Sequence, residues 1–211
     1  MSVGVAPAGP GRYARGAGKR ERTKANNRGA ILDAARAVFA ELGYGAATVR
    51  DVIRGTELAS GTFYNYFPDK EAVLRALVEE SAEALRERVR AARTGASSRE
   101  AFVGDAYRAF FDFISEDRPT FELLRRNAGT IRELMDEPAL GAGVEELLED
   151  LRAAIAAGEL PAVDAEYMAA AMAGVGIEVG VRMVDRDPVD PEGAAAFATA
   201  LFLGGIERLA R

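Results

Sequence analysis

Apolar residues recur at helical spacing along almost the whole chain from position 27 onward. The first stripe occupies one helical face, and Gly43 ends that helix. Its members are Ile31, Ala35, Val38, Phe39 and Leu42. Strands would instead show strict alternation of apolar and polar residues, and no such run of useful length occurs. The pattern therefore predicts an all-α protein of about nine helices.

Side chains that cap helices stand where the apolar stripes begin. Thr48 and Asp51 have the spacing of a capping box ahead of a short helix. A second short helix is predicted over 60–67, where Pro68 and Asp69 end it. Longer helices are predicted to begin after four further caps: Asp69, Ser97 with Glu100, Asp164, and Asp190 followed by Pro191.

The pattern divides the chain into three parts. Residues 1–24 are rich in Gly, Pro and Arg and lack apolar periodicity, which predicts a flexible basic arm. Residues 25–70 contain the short helices. Residues 71–211 form a larger helical body, which begins with a connecting helix over 71–93 and a break at 94–98.

The two short helices, with the tight turn between them, are typical of a helix-turn-helix. The outward residues of the second helix are small or form hydrogen bonds, which suits a major groove about 12 Å wide. Phe63 and Phe67 are four residues apart and should anchor this helix to the core. Thr48 and Lys70 stand at helix N-termini, where phosphate binds favourably. The residues expected to face DNA are Thr48, Ser60, Gly61, Thr62, Tyr64, Asn65, Tyr66 and Lys70. Alternatively, Tyr64 and Tyr66 join the two phenylalanines in an aromatic core.

The charge of the chain is unevenly distributed. The chain has 27 Lys+Arg and 33 Asp+Glu, a net charge of −6. Residues 1–80 nevertheless have a net charge of +3, and residues 81–211 of −9. A basic end on an acidic body favours contact between that end and a polyanion. A solvated basic tail is the alternative.

The residues that are missing exclude much chemistry. The chain has no Cys, His or Trp, so it has no disulfide, catalytic thiolate, zinc finger or imidazole-based site. We expect no enzyme activity, no cofactor and no metal. The longest uncharged apolar stretch, Ala169 to Ile177, is about half of the roughly 18–20 residues that span a membrane. We therefore expect a cytoplasmic protein that does not enter a membrane.

Residues 27–77 resemble the TetR/AcrR family of bacterial transcriptional regulators, through the segments Thr48–Ile53 and Ser60–Leu74. The resemblance implies a homodimeric, all-α regulator that binds a pseudo-palindromic double-stranded DNA operator. It places a three-helix DNA-binding domain over 25–70 and a ligand-binding and dimerisation domain over 71–211. Most members are repressors that a small-molecule effector releases from DNA. By motif position the resemblance assigns DNA contacts to Thr48, Arg50, Ser60, Gly61, Thr62, Tyr64, Asn65 and Lys70.

The chain departs from this family at two positions of the turn. Glu57 and Ala59 stand where the family usually has Gly and Ser. Glu57 is expected to strain the turn, and Ser60 is expected to take over the capping of the second helix. The basic arm would then compensate for weaker attraction of phosphate.

The larger body is predicted to hold a ligand pocket and a dimer face. An aromatic-rich helix over 102–114 can line an apolar pocket for a small apolar or amphipathic molecule, or simply form core. The segment 121–131 is faintly similar to family members that respond to fatty-acyl compounds. The candidate pocket residues are Phe110, Phe113, Phe121, Arg126, Asn127, Glu178 and Arg182. Arg126 and Asn127 are equally compatible with solvent exposure, and Glu178 can pair with Arg182 four residues later.

Small residues on the last two helices favour close helix packing between subunits. The candidate dimer residues are Gly176, Gly180, Phe197 and Leu201. Packing within one subunit is the alternative for the glycines. A dimer would place two recognition helices about 34–36 Å apart, the spacing of successive major grooves.

Two other functions remain open. In one, the acidic body is a helical adaptor that binds another protein. In the other, Glu178 and Arg182 form a carboxylate-based active site, which would leave residues 48–70 unexplained.

Overall fold

A computed structural model describes residues 13–127, 129, 131 and 138–209. These residues contain nine helices and no strand, which confirms the all-α prediction. The helices are α1 (Tyr13–Leu42), α2 (Val49–Arg54), α3 (Ser60–Tyr64), α4 (Lys70–Thr94), α5 (Arg99–Glu116), α6 (Arg118–Arg126), α7 (Pro138–Ala156), α8 (Ala165–Val184) and α9 (Pro191–Leu209).

The chain divides into two compact units, Met1–Leu74 and Arg75–Arg211, and the division falls within α4. We call these the N-terminal unit and the C-terminal unit.

Helix α1 begins earlier than the apolar pattern predicts. Residues 13–24 are helical, whereas the sequence predicted an irregular arm there; residues 1–12 lie outside the described residues. Residues 20–24 are exposed, so no apolar stripe marks them. Their Arg, Glu and Lys side chains nevertheless favour a helix by intrinsic propensity. Periodicity finds helices that pack, and residues 20–24 do not bury a face.

The predicted helix caps are present, except that the cap of α5 lies one residue later than predicted. The Asp51 backbone N–H donates to Thr48 Oγ1 (3.3 Å), and the Thr48 N–H donates to Asp51 Oδ2 (3.0 Å), which completes the capping box of α2. Asp69, Asp164 and Asp190 also accept backbone N–H groups at the starts of α4, α8 and α9. The cap of α5 is Ser98, one residue after the predicted Ser97, and its Oγ accepts the Ala101 N–H at 3.0 Å.

The core of the N-terminal unit forms where α1, α2 and α3 meet. Phe63 and Phe67 are both buried, as their spacing predicted, and their rings lie 6.2 Å apart. The other large buried side chains of this unit are Ile31, Leu32, Phe39, Val52, Val73 and Leu74. The buried Phe63 therefore anchors α3 by its inward face.

The C-terminal unit is built around α5, which packs on α8 and α9. Tyr107 of α5 stacks on Phe111 and on Phe202 of α9, and its hydroxyl donates to the Met172 backbone oxygen at 3.0 Å. Burial raises the pKa of Tyr107, so this hydroxyl stays protonated. Much of the aromatic stripe of α5 is thus packed core.

Helix α8 is the one described helix that is long and apolar enough, by composition, to cross a membrane. Its inward face, including Met168, Met172 and Met183, is buried in the core of the C-terminal unit. Its outward face exposes Glu178 and Arg182. These features are typical of the core helix of a globular protein.

Candidate functional site

The turn between α2 and α3 follows ordinary backbone conformations. An added Cβ at Gly55 would lie 3.1 Å from the Cβ of Ala34, so Gly55 allows the turn to pack closely on α1. Thr56 Oγ1 donates to the Ile53 backbone oxygen (2.8 Å) and accepts the Leu58 N–H (3.2 Å). Among the described residues no side-chain-bearing residue has a positive φ, so the predicted strain at Glu57 is wrong. The hydrogen bonds of Thr56 hold a turn that needs no left-handed residue.

Helix α3 is shorter than predicted and begins without a side-chain cap. It spans Ser60–Tyr64, and Asn65 is its C-cap. Its N-cap is Ala59, which has extended backbone and no capping hydrogen bond from its side chain. The predicted capping by Ser60 is therefore wrong, because Ser60 is already the first helical residue.

The outward face of α3 is polar and accessible. Ser60, Gly61, Tyr64 and Asn65 are exposed, while Thr62 is half-buried. An added Cβ at Gly61 would have no neighbour within 4 Å, so the fold itself does not require a glycine there. These side chains are of the kinds that form hydrogen bonds with base edges and phosphates.

The two tyrosines of this segment differ in burial. The Tyr64 side chain is 59% exposed, although its ring edge contacts Phe63 at a centroid distance of 5.3 Å. Tyr66 is half-buried. The aromatic-core alternative therefore fails for Tyr64, and Tyr66 is partly covered.

The Lys70 side chain is fully occupied within the protein. Its ammonium donates to the backbone oxygens of Tyr44 (2.8 Å), Gly45 (3.2 Å) and Ala47 (2.9 Å), and it lies 4.7 Å from the Tyr44 ring centroid. An ammonium group has three N–H donors, so these contacts use them all. Lys70 thus joins the start of α4 to the loop between α1 and α2, and its side chain is not presented to phosphate as the sequence predicted.

The basic side chains of the N-terminal unit include several exposed ones. Arg50 and Arg54 of α2 are exposed, as are Arg20, Arg22 and Lys24 of α1. The Arg28 guanidinium lies 5.6 Å from the Phe67 ring centroid. The exposed cations on α2, beside the polar face of α3, are suited to attracting an anionic backbone.

The capping box of α2 gives a pH-dependent prediction. The Thr48 hydroxyl donates to Asp51 Oδ2 at 2.6 Å, and this bond, followed by the Thr48 backbone N–H bond, lowers the pKa of Asp51. The ionised Asp51 carboxylate therefore stabilises the folded protein fully at pH values above the unfolded carboxyl pKa of about 3.9. This contribution is lost as the pH falls through the lower pKa that Asp51 has in the folded protein. We expect Thr48→Val to raise the Asp51 pKa toward its ordinary value in an NMR titration. An unaltered titration in the variant would contradict this account.

The residues predicted to form a ligand pocket do not lie together. Phe110 lines a cavity of about 100 Å³, together with Tyr107 and Gly176. Phe113 instead faces the Arg88 guanidinium, 5.9 Å from its ring centroid. Phe121 is half-buried against the core of the C-terminal unit.

The polar members of the predicted pocket lie elsewhere. Arg126 is exposed and pairs with Glu122 (3.4 Å), and Asn127 Nδ2 donates to the Leu123 backbone oxygen (2.8 Å). Glu178 and Arg182 are exposed and line a separate depression of about 380 Å³ beside Phe197. Both side chains are solvated on the outer face of α8, so neither charge needs an ion-pair partner.

A groove that the sequence did not indicate lies between α5, α7 and the end of α4. Its volume is about 720 Å³, and its wall includes Arg93, Phe102, Leu151 and Met172. Arg93 is buried and its Nε donates to Asp150 Oδ2 at 2.8 Å. An arginine on a mostly polar helix gives no sequence sign that the fold will bury it.

The four residues that were predicted to form the dimer interface fall into two groups. Gly176 and Gly180 are buried against α5, where an added Cβ at Gly180 would lie 2.6 Å from Ile114 Cδ1. Their small size therefore serves packing within the subunit, and the prediction that they face a partner is wrong. Phe197 and Leu201, by contrast, are exposed on α9.

Residues 31–77 match the family model of bacterial regulatory proteins of the tetR family. The chain is similar to the HTH-type transcriptional repressor Rv1474c of Mycobacterium tuberculosis, with 31% identity over 124 residues. The match covers 59% of this chain and 59% of that repressor's length.

Solved structures extend the similarity to most of the chain. The fatty acid degradation regulator FadR from Bacillus halodurans superposes with a TM-score of 0.75 at 25% identity, over 85% of this chain and 96% of that one. FadR from Bacillus subtilis in complex with stearoyl-CoA superposes with a TM-score of 0.73 at 24% identity, over 84% of this chain and 98% of that one. These relatives and neighbours are transcriptional regulators and not enzymes. The α2–turn–α3 segment lies within the matched residues, so this N-terminal segment belongs to the tetR family of bacterial regulatory proteins.

Proposed function

We propose that this protein is a homodimeric, cytoplasmic transcriptional repressor. It binds a pseudo-palindromic operator through α3 of each subunit, and a small amphipathic molecule with an apolar chain releases it. The polar outward face of α3, anchored from behind by buried Phe63, is the observation that supports this function best.

The DNA contacts are proposed from the exposed positions of α2 and α3. Ser60, Gly61, Thr62, Tyr64 and Asn65 face the major groove, and Arg50 contacts the phosphate backbone. Thr48 contributes through its position at the start of α2, and Tyr66 through its partly exposed ring. The Lys70 side chain acts indirectly, because it holds the loop before α2.

The subunit contact is proposed from exposed apolar residues on the last two helices. Ile177 of α8 and Phe197 and Leu201 of α9 are each more than half exposed. Large exposed apolar side chains are the kind of surface that protein interfaces cover. A second copy of this chain is the partner that would place two α3 helices on successive major grooves.

The effector class is proposed from the C-terminal unit. Its groove combines apolar with polar and charged side chains, and its smaller cavity is lined mainly by apolar ones, so both offer the kinds of contact that ligand sites use. The regulators from Bacillus that share this fold act in fatty acid degradation or hold stearoyl-CoA. A fatty-acyl compound is therefore the first class to test.

Selection of genomic fragments by the purified protein tests this function. Bound fragments are sequenced and the enriched motif is determined. We expect a pseudo-palindrome whose half-sites are about one helical turn, or a multiple of it, apart. Salt-sensitive binding without an enriched motif would contradict a sequence-specific repressor.

Gly61→Ala tests the contact between α3 and the groove. Because an added methyl group meets nothing within the protein, we expect a folded-state stability that is unchanged or up to about 1 kcal/mol higher. The same methyl group would enter the DNA interface and lower operator affinity by about tenfold.

The readouts are thermal unfolding and fluorescence anisotropy with a labelled operator. Gly141→Ala is the matched control, because Gly141 lies on α7 and also has open space around its Cβ position. Equal operator affinity for Gly61→Ala and the wild-type protein would remove α3 from the proposed interface.

A further inference from the structure

We propose that Arg93 binds the anionic head group of an amphipathic effector whose apolar chain lies in the groove of the C-terminal unit. This inference rests on the proposed function only in naming that molecule the effector; the binding site itself is argued from the structure.

Arg93 is a buried cation with unused hydrogen-bond donors. It is 7% exposed, and among the described residues its guanidinium donates one hydrogen bond, from Nε to Asp150 Oδ2 at 2.8 Å. Its Nη2 lies 3.7 Å from Glu146 Oε2, which is too far for a hydrogen bond. A guanidinium has five N–H donors. The Nη groups therefore keep donors that no described side chain uses.

Arg93 borders two cavities. Arg93 and Met172 line both the groove of about 720 Å³ and the smaller cavity of about 100 Å³ that Phe110 borders. The other groove walls combine apolar side chains, among them Phe102, Leu151 and Leu160, with the polar Ser97, Ser98, Arg99 and Glu159. Met172 is an unbranched, flexible side chain that can adapt to a ligand at this junction.

The chemistry of the site selects an amphipathic anion. The planar guanidinium matches the geometry of a carboxylate or phosphate, which it binds with two parallel hydrogen bonds. The apolar wall favours an alkyl chain, and a volume within the usual range of ligand sites leaves room for it. A neutral alcohol of the same length offers one uncharged acceptor oxygen, so it cannot form the charge-assisted, two-bond contact with the guanidinium.

Asp150 competes with such a ligand for the same guanidinium. Its side chain is 44% exposed, so it can turn into solvent when a ligand anion replaces it. Glu146 is held separately by Arg86, with Nη1 and Oε1 2.9 Å apart. Ligand binding thus breaks the Arg93–Asp150 ion pair and leaves the Arg86–Glu146 ion pair between α4 and α7.

Isothermal titration of the full-length protein tests the site with matched probes. Decanoate and 1-decanol share a chain length and differ in charge, and decyl phosphate distinguishes a phosphate from a carboxylate head group. We expect the wild-type protein to bind at least one of the anions about tenfold or more tightly than 1-decanol. Equal affinity for all three probes would overturn the proposal.

Two substitutions with opposite expected effects on anion affinity test whether Arg93 is the residue that binds the head group. Arg93→Gln should reduce anion affinity to that of 1-decanol while 1-decanol binding changes by less than about twofold. Asp150→Asn removes the competitor and should raise anion affinity by about three- to tenfold. This gain cannot result from misfolding, so lower or unchanged anion affinity in Asp150→Asn would contradict the proposal.

Arg90→Gln is the matched control. Arg90 lies on the same helix, 3.6 Å from Glu146, but it lines neither cavity. All three probes should bind this variant as they bind the wild-type protein, and loss of anion preference in it would indicate a diffuse charge effect and overturn the assignment to Arg93.

Operator binding separates this inference from the proposed function. If the anions bind through Arg93 and leave the operator complex intact, the site is supported and the effector role is contradicted. If another molecule releases the operator and the anions show no preference over 1-decanol, the proposed function stands and the inference fails.

Discussion

Replacing Phe197 and Leu201 together by glutamate is expected to give a monomer that binds the operator about 100-fold or more weakly than the wild-type protein. Both side chains are exposed on α9, by 60% and 51%, so the substitutions leave the subunit core intact. Charges introduced into an apolar interface lose their hydration without gaining partners. In the proposed complex each subunit holds one operator half-site, so loss of the dimer would remove the gain from simultaneous binding.

Sedimentation velocity and operator anisotropy measure the two parts of this prediction. Val144→Glu is a suitable control, because Val144 is also an exposed apolar residue but lies on α7. That variant should remain a dimer with unchanged operator affinity. A double variant that sediments as a dimer would move the subunit contact away from α9.

Replacing Lys70 by Met should destabilise the N-terminal unit by about 2–3 kcal/mol, because it removes the donors to three backbone oxygens. The methionine keeps most of the stem and deletes the ammonium. The loop that precedes α2 loses its connection to α4, so operator affinity should fall together with stability. If Lys70 instead contacted phosphate, stability would be unchanged and the salt dependence of binding would weaken by about one unit of slope.

Arg50→Met provides the comparison for Lys70. Arg50 is exposed on α2, so we expect its stability change to stay within about 0.5 kcal/mol while the salt slope falls by about one. Urea unfolding followed by circular dichroism, and operator binding at several salt concentrations, measure both quantities. A Lys70→Met protein of normal stability with a reduced slope would contradict the role assigned to Lys70.

The features that the sequence predicted correctly are local ones. Thr48 and Asp51 are three residues apart, and Asp164 caps amides two and three residues later, so the residues that make these contacts are visible in a short window. The spacing of Phe63 and Phe67 likewise predicted their common burial. The same helical spacing predicted which side chains of α3 point away from the core.

The features that the sequence could not show depend on distant contacts. Lys70 reaches carbonyls more than 20 positions earlier, and Arg93 pairs with Asp150, 57 positions later. Gly176 and Gly180 suit a subunit interface or an internal one equally well, and only the position of α5 decides between them. Tertiary packing thus determined which polar residues are presented to ligands and which support the fold.

Helix α3 has five residues, which is less than a turn and a half, and it lacks a side-chain cap at Ala59. Helices this short are unstable in water by themselves, so the order of α3 depends on Phe63 and the neighbouring helices. Its amide protons should therefore exchange with solvent faster than those of α2, whose capping box closes its first turn.

The low intrinsic stability of α3 has a consequence for how the protein would find its operator on DNA. On an unrelated sequence we expect α3 to fray and form few base contacts, while the exposed cations hold the protein on the DNA backbone. At the proposed operator we expect base edges and phosphates to order the helix, and part of the binding free energy would offset that ordering. Specificity then arises partly from which sequences stabilise the helix, so hydrogen exchange at 60–64 should slow on operator DNA and remain fast on nonspecific DNA.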